Sequence, residues 1–183
     1  ATPFQALVKR LMDIVGGLIG CVLAGIIILI VGPQIKKASP GPIIYSQERI
    51  GQNGRRFKFY KIRSMYLDAD ERKKDLMKEN RVSDGLMFKL DFDPRIIGAK
   101  KLPDGSVKRG IGNIIRDWSI DELPQLICIL SGDMSIVGPR PERPEIAMEY
   151  EKELPEFALR LQAKAGLTGY AQVYGKYNTT PYD

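Results

Sequence analysis

Asp121 and Glu122 stand side by side in residues 119–126, SIDELPQL, of a chain of 183 residues that contains no histidine. Without histidine the chain cannot run Ser-His-Asp or Cys-His catalysis or build a histidine-bearing metal motif. Cys21 and Cys128 each sit in apolar runs and no CxxC spacing exists, so thiol and zinc chemistry drop out as well. What remains is carboxylates, lysines, arginines and a hard metal ion. Pro124 has no N–H to offer the Ile120 carbonyl, which leaves a spare backbone acceptor beside two carboxylates. That oxygen-rich donor set is the kind Mg²⁺ takes. Adjacent residues on a helix diverge by about 100°, so the two acids are expected to have separate roles.

The same residues also read as a helix start. Ser119 as N-cap with Glu122 three positions on makes an S-x-x-E capping box. Leu123, Leu126, Ile127 and Leu130 supply an apolar stripe, and Gly132 closes the segment. On that reading Asp121 and Glu122 only complement a helix dipole, and for this motif alone it is the commoner meaning. Arginines tilt the balance towards chemistry. Arg116 precedes the pair by about one turn, and Arg140 is fixed between Pro139 and Pro141 in GPRPE, where its guanidinium fork loses little freedom on meeting a phosphate. A surface arginine in a proline-rich turn is the plain alternative. Residues 165–177, AGLTGYAQVYGKY, place Gln172 with Tyr170 and Tyr174 between glycines, a loop-strand-loop able to lay amide and aromatic groups on a base, or an ordinary glycine-bounded strand.

These groups need elements to hold them. Residues 14–31 form an uncharged apolar run. As a helix at 1.5 Å per residue it is about 27 Å long, close to the roughly 30 Å of a hydrocarbon core. Lys9 and Arg10 precede it and Lys36 and Lys37 follow it. Cations at both ends suit a re-entrant hairpin returning to one leaflet better than a spanning helix with a one-sided bias. Two short β-like runs, 43–46 and 57–62, flank a Gly-Asn turn, a charged helix covers 68–80, a hairpin turns at Pro-Asp-Gly within 100–110, and a helix covers 119–130. The fold class expected is α/β (α+β), helix-rich, with a membrane element at 1–38 and a catalytic domain at 39–183. The net charge of +6 is local: residues 1–63 carry +8 and the rest −2. This distribution argues against a nucleic-acid groove and for an anionic membrane face or a phosphate-bearing ligand.

Taken in order, the apolar segment, SPGPIIYSQERIGQNGRRFKFYKIRSM, IRDWSIDELPQL, SGDMSIVGPRPE and AGLTGYAQVYG resemble the bacterial monotopic phosphoglycosyl transferases over about residues 7–177. The resemblance implies transfer of a sugar 1-phosphate from a UDP-sugar, glucose or galactose, to undecaprenyl phosphate, with release of UMP. It implies Asp121 as the nucleophile that becomes a phosphosugar ester, and Glu122 as its Mg²⁺-associated partner. It places Arg116, Arg140, Lys61, Arg63 and Gln172 as phosphate or substrate contacts and Asp121 and Glu122 as metal ligands. It further implies a bacterial inner-membrane location with the catalytic domain on the cytoplasmic face, contact with membrane lipid, no nucleic acid, room for a homodimer, and a C-terminus that continues beyond Asp183. Three departures stand out. No Ser-Pro breaks the apolar segment near Ala24-Gly25, Tyr170 stands where the family often has Trp, and YGK replaces its NGR. A membrane-anchored UDP-sugar-binding module without turnover is the alternative from another class.

Overall fold

The computed structural model describes residues 2–77, 90–170 and Val173. Helices and small sheets are mixed, as expected. The elements are α1 (Pro3–Ala38), β1 (Ile44–Ile50), β2 (Arg56–Ile62), α2 (Ala69–Leu76), β3 (Lys100–Lys101), β4 (Val107–Lys108), α3 (Ile111–Asp117), α4 (Gln125–Ser131), β5 (Met134–Val137), α5 (Pro144–Glu153) and β6 (Ala165–Thr168). Three two-stranded pairs form: β1 with β2, β3 with β4, and β5 with β6. The charged helix and the hairpin at Pro-Asp-Gly fall where the sequence puts them, although positions 78–80 of that helix lie outside the described residues.

α1 is one unbroken helix of 36 residues with Pro33 inside it, about 54 Å long at 1.5 Å per residue. It is long and apolar enough to cross a membrane. Along it Phe4, Leu7, Leu11, Val15, Leu18, Val22, Ile26 and Leu29 form an exposed apolar stripe at helical spacing.

The chain divides into two compact units, the first made of the described residues of 1–24, 46–60 and 123–183, the second of those of 25–45 and 61–122. In the first unit, Ala24, Phe57, Phe59, Leu126, Cys128, Ile129, Met134 and Ala165 form the core. The glycines of α1 let it approach α4 closely: a Cβ on Gly17 would lie 2.8 Å from Leu130 Cδ2, and one on Gly20 2.8 Å from Leu126 Cδ1. The cations at the start of α1 are committed here too. Arg10 donates to the Ile129 and Leu130 carbonyls at 2.7 and 2.8 Å, at the negative end of α4, and Lys9 donates to Ser135 Oγ and to the Val137 carbonyl. Asp13, nearly fully buried, accepts from Ser135 Oγ at 3.0 Å and from Ile136 N–H at 2.9 Å. Lys9 and Arg10 therefore have a packing role, which removes half of the charge argument for a re-entrant path.

β5 and β6 run parallel, with Met134 opposite Ala165, Ser135 opposite Gly166 and Val137 opposite Thr168. The second unit is centred on Val31, Ile35, Ile62, Ile97 and Ile115. Gly112 of α3 sits where a Cβ would be 2.3 Å from the Ser64 carbonyl oxygen, and its N–H donates to Ile97 O at 3.0 Å. This contact fixes the entry of α3, and through it the acid pair that follows.

Candidate active site

Within the second unit the chain leaves α3 at Trp118, enters the left-handed region at Ser119 (φ 53°), makes a 3₁₀ turn over Ile120–Glu122, and leaves the unit. The single helix expected over 119–130 is not what forms. α4 begins at Gln125 with Pro124 as its N-cap, and Gly132 closes it in the left-handed conformation. No Ser119–Glu122 capping box exists, because a residue with positive φ has left the N-cap geometry. Instead Glu122 N–H donates to the Ser119 carbonyl at 3.1 Å. A left-handed conformation at a non-glycine residue costs on the order of 1 kcal/mol. It is spent two residues before the acid pair.

Asp121 is 7% exposed, in the middle of that turn. Lys61, the sixth residue of β2, reaches both acids: its Nζ lies 3.4 Å from Asp121 Oδ2 and 3.0 Å from Glu122 Oε1. Although neighbours diverge, one ammonium reaches an oxygen of each. Burial pushes the Asp121 carboxyl above the ordinary carboxylate range; Lys61 and Arg116 oppose that rise and the Glu122 charge adds to it. The outcome is a largely buried carboxylate with the Lys61 ammonium beside it and the Arg116 charge acting on it.

Arg116 lies in the last turn of α3 and contributes positive charge at both Asp121 and Asp93. The pair Asp93–Arg95 went unnoticed in the sequence. Arg95 donates from its backbone N–H and from Nε to Asp93 Oδ1, at 3.0 and 2.8 Å, and from a terminal nitrogen to Asp93 Oδ2 at 2.6 Å. Burial alone would raise Asp93, but these bonds with the charges of Arg95 and Arg116 hold it below the usual range. The two-residue spacing in DPR is the only signal, and it does not distinguish this pair from a turn.

Arg63 is buried and turned to the end of α1, donating to Ser39 Oγ at 2.9 Å, to the Ser39 carbonyl at 2.6 Å and to the Pro40 carbonyl at 3.3 Å; its Nε has no partner. Arg140 belongs to the first unit, half-buried between β5 and α5, and its charge is felt at Arg160. The neighbouring stretch is tied down by Arg49, which bonds the Pro141 carbonyl at 3.2 Å and faces Glu142 at 3.6 Å. Gln172 lies outside the described residues. The structure thus brings Lys61, Asp121, Glu122 and Arg116 together in one unit and gives Arg63 a chain-anchoring contact.

Mg²⁺ commonly binds through one or two carboxylates and completes its shell with substrate phosphates and water. Asp121 and Glu122 are two adjacent carboxylates with donor oxygens of that kind, both facing Lys61 here; among the described residues no group of three or more acidic, cysteine or histidine side chains is gathered for an ion.

The chain belongs to the bacterial sugar transferase family, whose model covers residues 4–183. Among its relatives, the galactosyl transferase CpsE of Streptococcus agalactiae serotype III is 47% identical over 96% of this chain and 35% of its own length. The UDP-glucose:undecaprenyl-phosphate glucose-1-phosphate transferase of Caulobacter vibrioides is 37% identical over 91% of this chain and 54% of its own length. The undecaprenyl-phosphate galactose phosphotransferase of Salmonella typhimurium is 35% identical over 96% of this chain and 34% of its own length. The chain spans only a third to a half of these relatives. The family resemblance carried by its ordered motifs is borne out.

Proposed function

We propose that this chain carries the catalytic part of a phosphoglycosyl transferase that moves a sugar 1-phosphate from a UDP-sugar to undecaprenyl phosphate. The observation that carries the reading is the buried Asp121, kept beside Glu122 with the Lys61 ammonium facing both, in a member of this family. Ionised Asp121 attacks the β-phosphorus of the UDP-sugar. The bond from that phosphorus to the bridging oxygen breaks, UMP leaves with the bond's electrons, and an aspartyl phosphosugar ester remains. An oxygen of the polyprenyl phosphate then attacks the same phosphorus, and the Asp121 carboxylate departs unchanged. Splitting the displacement this way avoids a direct meeting of two large anionic substrates. Lys61 and Arg116 offset the charge that gathers around Asp121. Mg²⁺ held by Glu122 and Asp121 would neutralise phosphate charge when bound.

Relatives of this chain are named for glucose and for galactose transfer, and either sugar suits the reading. The test is UMP release by the purified chain in detergent with undecaprenyl phosphate, Mg²⁺ and a panel of UDP-sugars. UDP-sugar binding with no UMP formed would support the binding module instead.

Lys61→Met tests the electrostatics of the pair. Removing the cation that opposes the rise at Asp121 drives its pKa higher. Because the nucleophile works only when ionised, the acidic limb of the pH–rate profile is expected to move to higher pH. An unmoved limb with a lower rate throughout would assign Lys61 to substrate binding alone.

The exposed stripe of α1 is the membrane-facing surface in this reading, on the cytoplasmic leaflet of the bacterial inner membrane, with both helix ends on that side. Single cysteines at positions 2 and 38 should then label from one face of sealed vesicles. Labelling from opposite faces would establish a spanning helix.

A further inference from the structure

The second unit carries a surface that the reaction does not use. β3 and β4 pair antiparallel with Lys100 directly opposite Lys108 and Lys101 opposite Val107. Like charges placed directly opposite across a ladder destabilise it, and this ladder is only two residues long on each side. Its turn is nevertheless firmly built. Asp104 Oδ1 accepts from Ser106 N–H at 2.9 Å and from Ser106 Oγ at 2.6 Å, Leu102 N–H donates to Ser106 O at 2.8 Å, and Gly105 takes the left-handed conformation (φ 83°). A rigid hairpin that holds two ammonium groups together calls for an anionic neighbour.

The hairpin is pinned to α3. Arg109, just after β4, pairs with Asp117 at the end of α3, and Gly110 is packed so closely on Gly98 that a Cβ there would meet the Gly98 backbone at 2.2 Å. α3 buries Gly112 and Ile115 and leaves Ile114 and Trp118, one turn apart, on the open side at 49% and 78% exposure. Leu102 and Val107 of the hairpin are exposed as well. With Arg116 turned to the acid pair and Arg109 paired to Asp117, residues 98–118 keep Lys100, Lys101 and Lys108 against Asp104, net +2. The same unit contains residues 25–38 of α1, ending in Lys36 and Lys37.

We propose that the β3–β4 hairpin and the Ile114/Trp118 face of α3 form a second membrane contact, resting on anionic lipid headgroups. Trp is favoured at the headgroup level, where its ring is half in hydrocarbon and half in water. Lysines near an anionic leaflet are attracted to it, each worth on the order of a fivefold gain in residence at about 1 kcal/mol. A protein partner is the poorer fit, because protein interfaces are depleted in lysine. The proposal rests on the membrane reading of α1 and is independent of turnover.

Trp118 is the only tryptophan of the chain, so its fluorescence reports this face directly. The whole chain is reconstituted into nanodiscs of phosphatidylcholine, with and without a third of phosphatidylglycerol, and no substrate is added. In the anionic discs the Trp118 emission is expected to shift to the blue, to be quenched by lipids brominated near the headgroup, and to lose access to acrylamide. The triple variant Lys100→Glu, Lys101→Glu, Lys108→Glu should lose the bromolipid quenching while remaining in the disc. Emission that stays acrylamide-accessible in anionic discs overturns the proposal without needing any variant. So does shielding that grows with protein concentration in detergent, which would mark a contact between copies. UMP release measured in the same discs separates a failed transferase reading from a failed lipid surface, since quenching persists in a chain that turns nothing over.

Discussion

Asp121→Asn is expected to abolish UMP release, by about 10³-fold or more, and at the same time to make the chain harder to unfold at neutral pH. The first effect follows from removing the proposed nucleophile, since an amide oxygen cannot form the phosphosugar ester, and losses of this size attend removal of a covalent catalyst. The second follows from burial. Asp121 is buried in a 3₁₀ turn and its carboxyl is raised above its ordinary value, with desolvation outweighing the help from Lys61 and Arg116. A raised carboxylate pKa means that the folded state binds the proton more tightly than the unfolded one. The Asp121 contribution to stability is therefore best below about pH 4, declines as pH rises through the folded pKa, and remains a constant deficit above it. Asparagine carries no charge to desolvate. Its advantage should be present at pH 7.5 and vanish near pH 4, read as the unfolding midpoint of both proteins in one detergent. Unchanged turnover would defeat the mechanism. A variant less stable at neutral pH would mean that Lys61 more than compensates the buried charge.

Gly166→Ala should destabilise the first unit by about 3 kcal/mol, at the upper end for overpacking a close-packed site. A Cβ on Gly166 would lie 2.1 Å from Gly138 N and 2.4 Å from Gly138 O, and one on Gly138 would lie 2.2 Å from the Lys164 carbonyl oxygen. Both sides of the contact are backbone, so no side chain can rotate away. Two hydrogen bonds depend on this approach: Gly166 N–H to the Pro139 carbonyl and Gly138 N–H to the Thr168 carbonyl, each 2.9 Å. They tie the end of β5 to β6 and hold the start of the Pro139–Arg140–Pro141 stretch. Substitution thus loosens the segment that presents Arg140 along with the strand pair. Gly25→Ala is the matched control. A Cβ there meets nothing within 4 Å, and alanine in a helix interior is favoured over glycine by about 1 kcal/mol. Urea midpoints should fall for Gly166→Ala and hold or rise for Gly25→Ala. Equal responses would remove the close approach as the cause.

The elements that local composition specifies were legible in the sequence. The run at 14–31 had to be an apolar helix because nothing in it offers water a partner, and Pro-Asp-Gly between two lysine-rich ends had to turn. The break between α3 and α4 was not legible. Residues 119–130 carry the caps and apolar stripe of one helix, and the one local mark against it is Pro124, after which α4 begins; the left-handed conformation at Ser119 has no such mark. Lys9 and Arg10 show the same limit. As flanking charges they looked like membrane markers, whereas their partners, the carbonyls at Ile129, Leu130 and Val137, are more than a hundred residues away.

By itself, the sequence determined which chemistry was open to this protein. The absence of histidine in these 183 residues removes histidine-dependent catalysis, and the Asp-Glu pair among arginines marks where carboxylates and cations could act, since side-chain identity limits what can be ionised. Only the tertiary structure decided where the pair sits and what faces it. Burial of Asp121, and the reach of Lys61 from β2 across sixty positions to both acids, depend on contacts that no local pattern encodes. Desolvation and charge pairing are properties of neighbours in space, and those two quantities set the protonation of the proposed nucleophile.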